Sequence, residues 1–239
     1  WFDIEAGSED AILHSAVWTA PADLAPRHGT ISLAMTTLNK NEDVLRNIAT
    51  IAGDPDVREV LDEMIIVDQG SARLISTPGF DEVASAMGDQ LQIVEQGNIG
   101  GSGGFSRGMY EVTTRGKSDY VILMDDDIDI EPESMIRLVT FADFAKKPTL
   151  VGAHMFDLNN RSVLHTFGER VDPWRIQPVT ASDEMFNGHD FAASGIRSTP
   201  WLHRRADVDY NGWWSTLIPV SVIRELGLSL PIFIKWDDA

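Results

Sequence analysis

The chain has 239 residues, 43% of them hydrophobic, with 37 acidic against 19 basic residues and a formal charge of −18. That balance excludes a general electrostatic footprint for nucleic acid, and the absence of cysteine excludes disulfides, thiolate metal sites and a thiol nucleophile. The length fits one large domain, or one domain with an appendage, and no stretch reaches the roughly 20 apolar residues that cross a bilayer.

Residues 1–27 read as irregular. The opening WFDIEAGSED has neither the basic nor the apolar region of a signal peptide, and PADLAPRHG reads as a linker. From Gly29 a rhythm begins. TISLAMTT predicts a buried strand, LNKNED a polar turn, and VLRNIATI a helix with Val44, Leu45, Ile48 and Ile51 on one face. EMIIVD predicts a second strand, GFDEVASAM a short helix and QLQIVEQ a third strand. GNIGGSGG predicts a glycine loop, FSRGMYEVTTRG a helix and YVILM a fourth strand. Pro132 stands near the start of a further helix, a favoured place for proline, with Met135, Ile136, Val139 and Ala142 on one face. LVGAHMF predicts a fifth strand. Beyond Phe156 the rhythm weakens into NNRSVLHTF, a hairpin or loop, and a turn-rich stretch to Arg205. YNGWWSTLIPVSVIREL and PIFIKWDDA follow.

Strands alternating with helices predict an α/β fold, a mainly parallel sheet with helices on both faces. In such sheets ligands bind beyond the carboxyl ends of the strands. TTLNK, VDQG, QGNIGGSGG and DDD therefore converge on one rim.

Each of these clusters suits a particular chemistry. The glycines before the FSRG helix serve equally a phosphate cradle or a tight loop that needs positive φ. Asp125, Asp126 and Asp127 follow a buried strand, where like charges repel. Three hard oxygen donors there suit Mg²⁺ or Mn²⁺. Strand alternation is expected to turn Asp125 and Asp127 to one side and Asp126 to the other. An EF-hand is excluded, because Ile130 and Ile136 stand where that loop needs glycine and glutamate. In WDDA, Asp237 and Asp238 beside Trp236 suit a base for a sugar hydroxyl with an aromatic platform, or simply an acidic first turn of a helix. Of Trp213 and Trp214, one is expected in the core and one in a pocket wall. Trp201, His203, Arg204 and Arg205 form a cationic patch suited to anchoring a loop or meeting a phosphate. His154 and His165 read as structural.

Taken in order, TTLNK, VDQG, GNIGGSGGFSRG, MDDDI, NGWW and FIKWDD resemble the family 2 glycosyltransferases with the GT-A fold, from about His28 onward. Within that family the likeness is to the polymerising galactofuranosyltransferases of mycobacterial galactan synthesis. The resemblance implies an inverting transferase with a UDP-galactofuranose donor, a Mn²⁺ or Mg²⁺ cofactor and a lipid-linked galactan acceptor. It implies a cytoplasmic location where such an acceptor is met, the inner face of the plasma membrane, and it leaves open peripheral membrane association and a homo-oligomer. Residue by residue, it implies Asp125 and Asp127 as the metal acids, Asp127 in direct contact. It implies Thr37, Asn39, Lys40, Asp68, Asn98 and Asp125 on the nucleotide, and Trp213, Trp214 and Trp236 on the sugar and acceptor. Asp237 then binds acceptor and Asp238 is the base. Lys40 stands where the family has arginine, which turns a fork into a point charge.

The same resemblance implies an N-terminal β-sandwich, a metal-binding histidine downstream of WDD and a helical C-terminal region. On that reading residues 1–27 are the remnant of a β-rich domain or a linker, and residues 28–239 a GT-A domain cut short on its C-terminal side. Two other readings stay open: a nucleotidyltransferase that makes a nucleotide-sugar and releases pyrophosphate, and a non-catalytic sugar-binding fragment. A nicotinamide-dependent oxidoreductase would explain the glycines and one acid, but neither the aspartate trio nor WDD.

Overall fold

The computed structural model describes residues 4–7, 11–19, 21, 24, 28–182, 185–204, 208–230, 232–236 and 238. Asp237, Arg205 and Ala239 lie outside the described residues, so the structure is silent on the acceptor role expected of Asp237.

The predicted rhythm is present. Strands β1 (Ile31–Thr37), β2 (Leu61–Asp68), β3 (Leu91–Glu95) and β4 (Tyr120–Met124) pair in parallel. Helix α1 (Asn41–Ala52) buries Val44, Ile48 and Ile51, which recur at helical spacing along one face. A short helix that the pattern did not predict, α2 (Pro55–Val60), starts on Asp54, whose carboxylate accepts a hydrogen bond from the Val57 N–H at 2.9 Å. Aspartate before proline is a helix-start signal in its own right. Then come α3 (Phe80–Met87), α4 (Gly100–Arg115) and α5 (Pro132–Phe144), the last with Pro132 in its first turn.

One correction concerns the second half. LVGAHMF is not one strand. It splits into β5 (Val151–Gly152), in the main sheet, and β6 (Met155–Phe156), in a separate three-stranded sheet. The break lies at Ala153, whose N–H donates to Ser215 and whose carbonyl accepts from the Trp214 indole at 2.8 Å. The second sheet is completed by β7 (Val163–Thr166) and β10 (His189–Asp190), and β8 (Glu169–Asp172) pairs with β9 (Gln177–Thr180) as a hairpin. The chain then returns. β11 (Ser215–Pro219) inserts antiparallel between β4 and β5, giving the order β3-β2-β1-β4-β11-β5, and α6 (Val220–Leu226) follows directly.

The sheet has an apolar layer on each face. On one, Leu33, Met35, Ile66 and Ile122 pack with Val44, Ile48, Met135 and Leu138 of α1 and α5. On the other, Ala34, Ile65, Val67 and Leu123 pack with Phe105, Met109 and Val112 of α4 and Ile223 of α6. Strands covered on both sides read as continuous hydrophobic runs. A satellite cluster around Leu164, Phe167 and Trp201 holds the excursion between β6 and β11. No helix among the described residues is long and apolar enough to cross a membrane.

Candidate active site

Beyond the carboxyl ends of the parallel strands lies a cavity of about 400 Å³. Its wall takes Thr36, Thr37 and Leu38 from the end of β1, and Gln69 from just after β2. Asn98, Gly100 and Gly101 come from the start of α4, and Asp125 and Asp126 from the end of β4. Trp213, Trp214, Phe233, Ile234 and Asp238 complete it. The antiparallel β11 explains how the tryptophans arrive. Its register sets Ser215 opposite Met124, so Trp214 falls beside Asp125, whose N–H donates to the Trp214 carbonyl at 3.4 Å.

The aspartate trio departs from alternation. The strand stops at Met124 and the chain bends at Asp126 and Asp127. Asp125 and Asp126 line the cavity, whereas Asp127 pairs with Lys40 at 3.6 Å, both side chains about half exposed. The bend is held from below by the buried Asn47, whose amide donates to the Asp126 carbonyl at 2.9 Å. Burial holds the Asp126 carboxyl above its ordinary pKa, with the Asp127 charge adding to the effect and Thr37 and Lys40 opposing it. The Thr37 hydroxyl is itself buried with no partner in hydrogen-bonding geometry.

A carboxyl raised in this way favours the folded state below its unfolded pKa, and that contribution is lost as pH rises through the folded value. Asp126→Asn is therefore expected to raise the melting temperature at pH 7 without added divalent cation. The gain should shrink on acidification towards about pH 4, where the carboxyl is neutral in the unfolded chain too. Melts of the two proteins across that range test it, and a gain that grows towards pH 4 contradicts it.

The glycine segment is not a loop. Four of its glycines lie inside α4, which begins at Gly100. Two of its first N–H groups are already used: Gly100 donates to the Asn98 side chain at 3.0 Å and Ser102 to the Phe233 carbonyl at 3.2 Å. What these glycines supply is close approach. Gly100 has φ +79°, and a Cβ there would lie 1.9 Å from the Phe233 carbonyl oxygen. The segment carrying Phe233 thus rests on the start of α4, fixed further by a hydrogen bond from the Ser102 hydroxyl to the Leu230 carbonyl.

Two residues expected on the nucleotide, Asp68 and Asn39, hold the loops behind the rim. Asp68 is fully buried, and its carboxylate accepts from Gly70 N–H at 2.8 Å and Leu74 N–H at 2.9 Å. Asn39, at φ 60°, accepts from Ala72 N–H at 3.0 Å. Neither is part of the cavity wall. Gln69 is, and sequence reasoning missed it. Its amide donates to Thr36 Oγ1 and the Gly100 carbonyl, both at 3.0 Å, and accepts from Ile99 N–H at 2.9 Å and the Gln96 amide at 3.2 Å. All its hydrogen-bonding capacity is used. One side chain thereby joins the ends of β1 and β3 to the start of α4.

Both tryptophans of NGWW are half-buried and both line the cavity, so the expected split between core and pocket does not hold. Trp213 meets Phe105 edge-on, with ring centroids 5.1 Å apart, and Trp214 is held through its indole N–H. Trp236 lies outside the wall, its ring 6.2 Å from Tyr210. Tyr210 donates to Glu169 at 2.9 Å, and burial, that hydrogen bond and the nearby charge of Asp238 hold its phenol well above the usual range. Trp201 belongs to the satellite core and His203 bonds the Ile196 carbonyl at 2.8 Å, as a loop anchor would. His154 packs against Phe167, and burial lowers its pKa.

A mainly parallel sheet with an antiparallel insertion, and a rim site flanked by aspartates, define the GT-A class of nucleotide-sugar transferase folds. Residues 26–239 match the family model described as glycosyltransferase like family 2, and the chain belongs to that family. It is 42% identical over 244 residues to galactofuranosyltransferase GlfT2 of Mycolicibacterium smegmatis, and 41% identical over 243 residues to that of Mycobacterium tuberculosis. Each match covers all of this chain but 37% and 38% of the relative, so the chain spans little more than a third of their length.

Solved structures share the fold at low identity. A mannosyltransferase from Pyrobaculum calidifontis, in complex with GDP-Man and Mn²⁺, aligns with TM-score 0.52 and 15% identity over 92% of this chain and 53% of its own. GalNAc-T7 with UDP, GalNAc and Mn²⁺ aligns with TM-score 0.58 and 14% identity over 85% and 37%.

Proposed function

We propose that this chain carries the donor site and catalytic base of an inverting galactofuranosyltransferase, which transfers galactofuranose from UDP-galactofuranose to a growing galactan. One observation carries the reading: a single rim cavity joins two carboxylates from the end of β4 to a third, Asp238, with Trp213 and Trp214 in the same wall. The relatives' name supports the choice of sugar.

The donor set fits a divalent cation of the Mg²⁺ or Mn²⁺ kind. Among the described residues no three acidic or imidazole side chains converge on one point. Such ions are commonly held by one or two carboxylates and completed by substrate phosphates, which matches Asp125 and Asp126 on the wall with Asp127 beside them. When bound, the cation supplies Lewis-acid stabilisation of the charge that builds on UDP.

The chain's own residues do the rest. Thr37 and Asn98 offer polar contacts to the nucleotide, Gln69 holds the wall between them, and Lys40 places a cationic charge by the trio. Trp213 and Trp214 present apolar faces that position sugar rings and exclude water. Asp238 takes the proton from an acceptor hydroxyl. The freed oxygen bonds to the anomeric carbon on the face opposite the phosphate, the carbon–oxygen bond to UDP breaks, and UDP leaves with the electron pair. Asp68 and Asn39 act on this site through the loops they hold.

UDP release from UDP-galactofuranose, with galactan oligosaccharide as acceptor, is expected only with added Mn²⁺ or Mg²⁺ on the full-length protein. Asp125→Ala should abolish the metal-dependent part of UDP binding by calorimetry. Titration heats that are the same with and without Mn²⁺ would sink the metal assignment, and release of pyrophosphate in place of UDP would sink the transferase.

A further inference from the structure

A second cavity, of about 410 Å³, lies at the opposite end of the sheet, where β4 begins and β11 ends. It is walled by the loop after α5, by α6 and by Tyr120. Lys146, Lys147 and Arg224 line it.

The state of these three cations sets the cavity apart. In a chain of charge −18, carboxylates hold most basic side chains that matter elsewhere: Lys40, Arg46, Arg73, Arg107, Arg115 and Lys117 all sit in ion pairs. Among the described residues, no ion pair or hydrogen bond engages the Lys146, Lys147 or Arg224 side chains. Two acids share the cavity, and both are occupied. Asp143 accepts from the Tyr120 hydroxyl at 2.8 Å and from Gly29 N–H at 3.1 Å, and Asp119 accepts from Thr30 N–H at 3.2 Å. These acids pin the start of β1 and form no ion pair with the three cations, which outnumber them in the wall. Ser221, one turn before Arg224 on α6, adds a hydroxyl to the same wall.

We infer that this cavity is a binding site for a small molecule bearing a phosphate or diphosphate group, separate from the catalytic rim. A guanidinium fork and two mobile ammonium groups match tetrahedral oxyanions in geometry and charge. The volume falls in the range of small-molecule pockets. A net charge of −18 gives no general attraction for anions, so an anion bound in this cavity is held by these three side chains. The site lies at the far end of the strands from Asp125 and Asp126, so its occupancy does not compete with the donor.

The test is calorimetric titration of the full-length protein with inorganic pyrophosphate, at low salt and without divalent cation. The expected result is saturable binding that weakens with added salt, weakens at least tenfold in Lys147→Ala/Arg224→Ala, and survives excess UDP. A second arm measures sedimentation with phosphatidylglycerol vesicles. Capture that is lost in the double variant, with pyrophosphate bound weakly, assigns the phosphate to a lipid headgroup at the same site. Equal pyrophosphate affinity in the parent and the double variant, displacement by UDP, or no binding of either probe overturns the proposal. The three cations are exposed and bear no packing role, so melting temperatures of parent and variant should agree.

Discussion

Asp238→Asn in the full-length protein is expected to slow transfer by about 10²–10⁴-fold, the usual contribution of a positioned general base, with UDP affinity nearly unchanged. The reasoning is positional. Asp238 reaches the cavity wall from a segment far in sequence from the β1 turn, the Asn98 segment and the Asp125 bend. Its neighbours Trp236 and Tyr210 lie on the side of the β8–β9 hairpin, through the Tyr210–Glu169 hydrogen bond. Amide for carboxylate keeps the shape and removes only the basicity. Single-turnover UDP release gives the rate and calorimetry gives the affinity. Full turnover in the variant would remove Asp238 from the role, and a parallel loss of UDP binding would make it a donor ligand instead.

The second large effect is on stability. A Cβ at position 104 would lie 1.9 Å from Thr36 Oγ1, 2.6 Å from Thr36 Cβ and 2.8 Å from Gln69 Nε2. Gly104→Ala must therefore push α4 away from β1, or break the Gln69–Thr36 hydrogen bond. Overpacking of this kind costs about 1–3 kcal/mol, a fall in melting temperature of roughly 2–12 °C for a chain of this size. Gly97→Ala is the control, because nothing lies within 4 Å of a Cβ there and its φ is not in the left-handed region. If both variants melt alike, the close seating of α4 on β1 is wrong.

These glycines show where pattern reading reaches its limit. Glycine costs about 1 kcal/mol in a helix relative to alanine, so GNIGGSGG reads as loop. The cost is accepted because Gly104 and Gly108 face Thr36 and Ala34 with no room for a side chain. That demand belongs to a neighbour some 70 positions earlier and leaves no local mark. The four parallel strands were legible because each is covered on both faces, which forces continuous apolar runs such as YVILM. Helix α2 was legible in principle from Asp54-Pro55.

At the site, the gathering of strand ends followed from topology alone, whereas the division of labour on the rim did not. Asp68 at a strand end looks like a ligand. The spacing Asp68-x-Gly70 also fits an aspartate that folds its own loop, and that is where its carboxylate goes. Gln69, squeezed between them, carries no signal of the four hydrogen bonds it makes. The trio misled for a related reason: alternation holds only while a strand lasts, and this one stops at Met124. The return of β11 to β4 was equally out of reach, since STLIP resembles any short buried strand and its partner lies far back in the chain.

That return has a consequence for how the protein is made. Until Ser215 leaves the ribosome, the slot beside β4 has no occupant from this chain. At about 5–20 residues per second the gap lasts on the order of 5–20 s. Meanwhile Val121, Ile122, Leu123 and Met124, all fully buried in the finished sheet, sit on a bare edge of the kind that recruits foreign strands. Nascent chains stalled between β4 and β11 should therefore be a favoured cargo for chaperones, and arrest beyond Pro219 should release them.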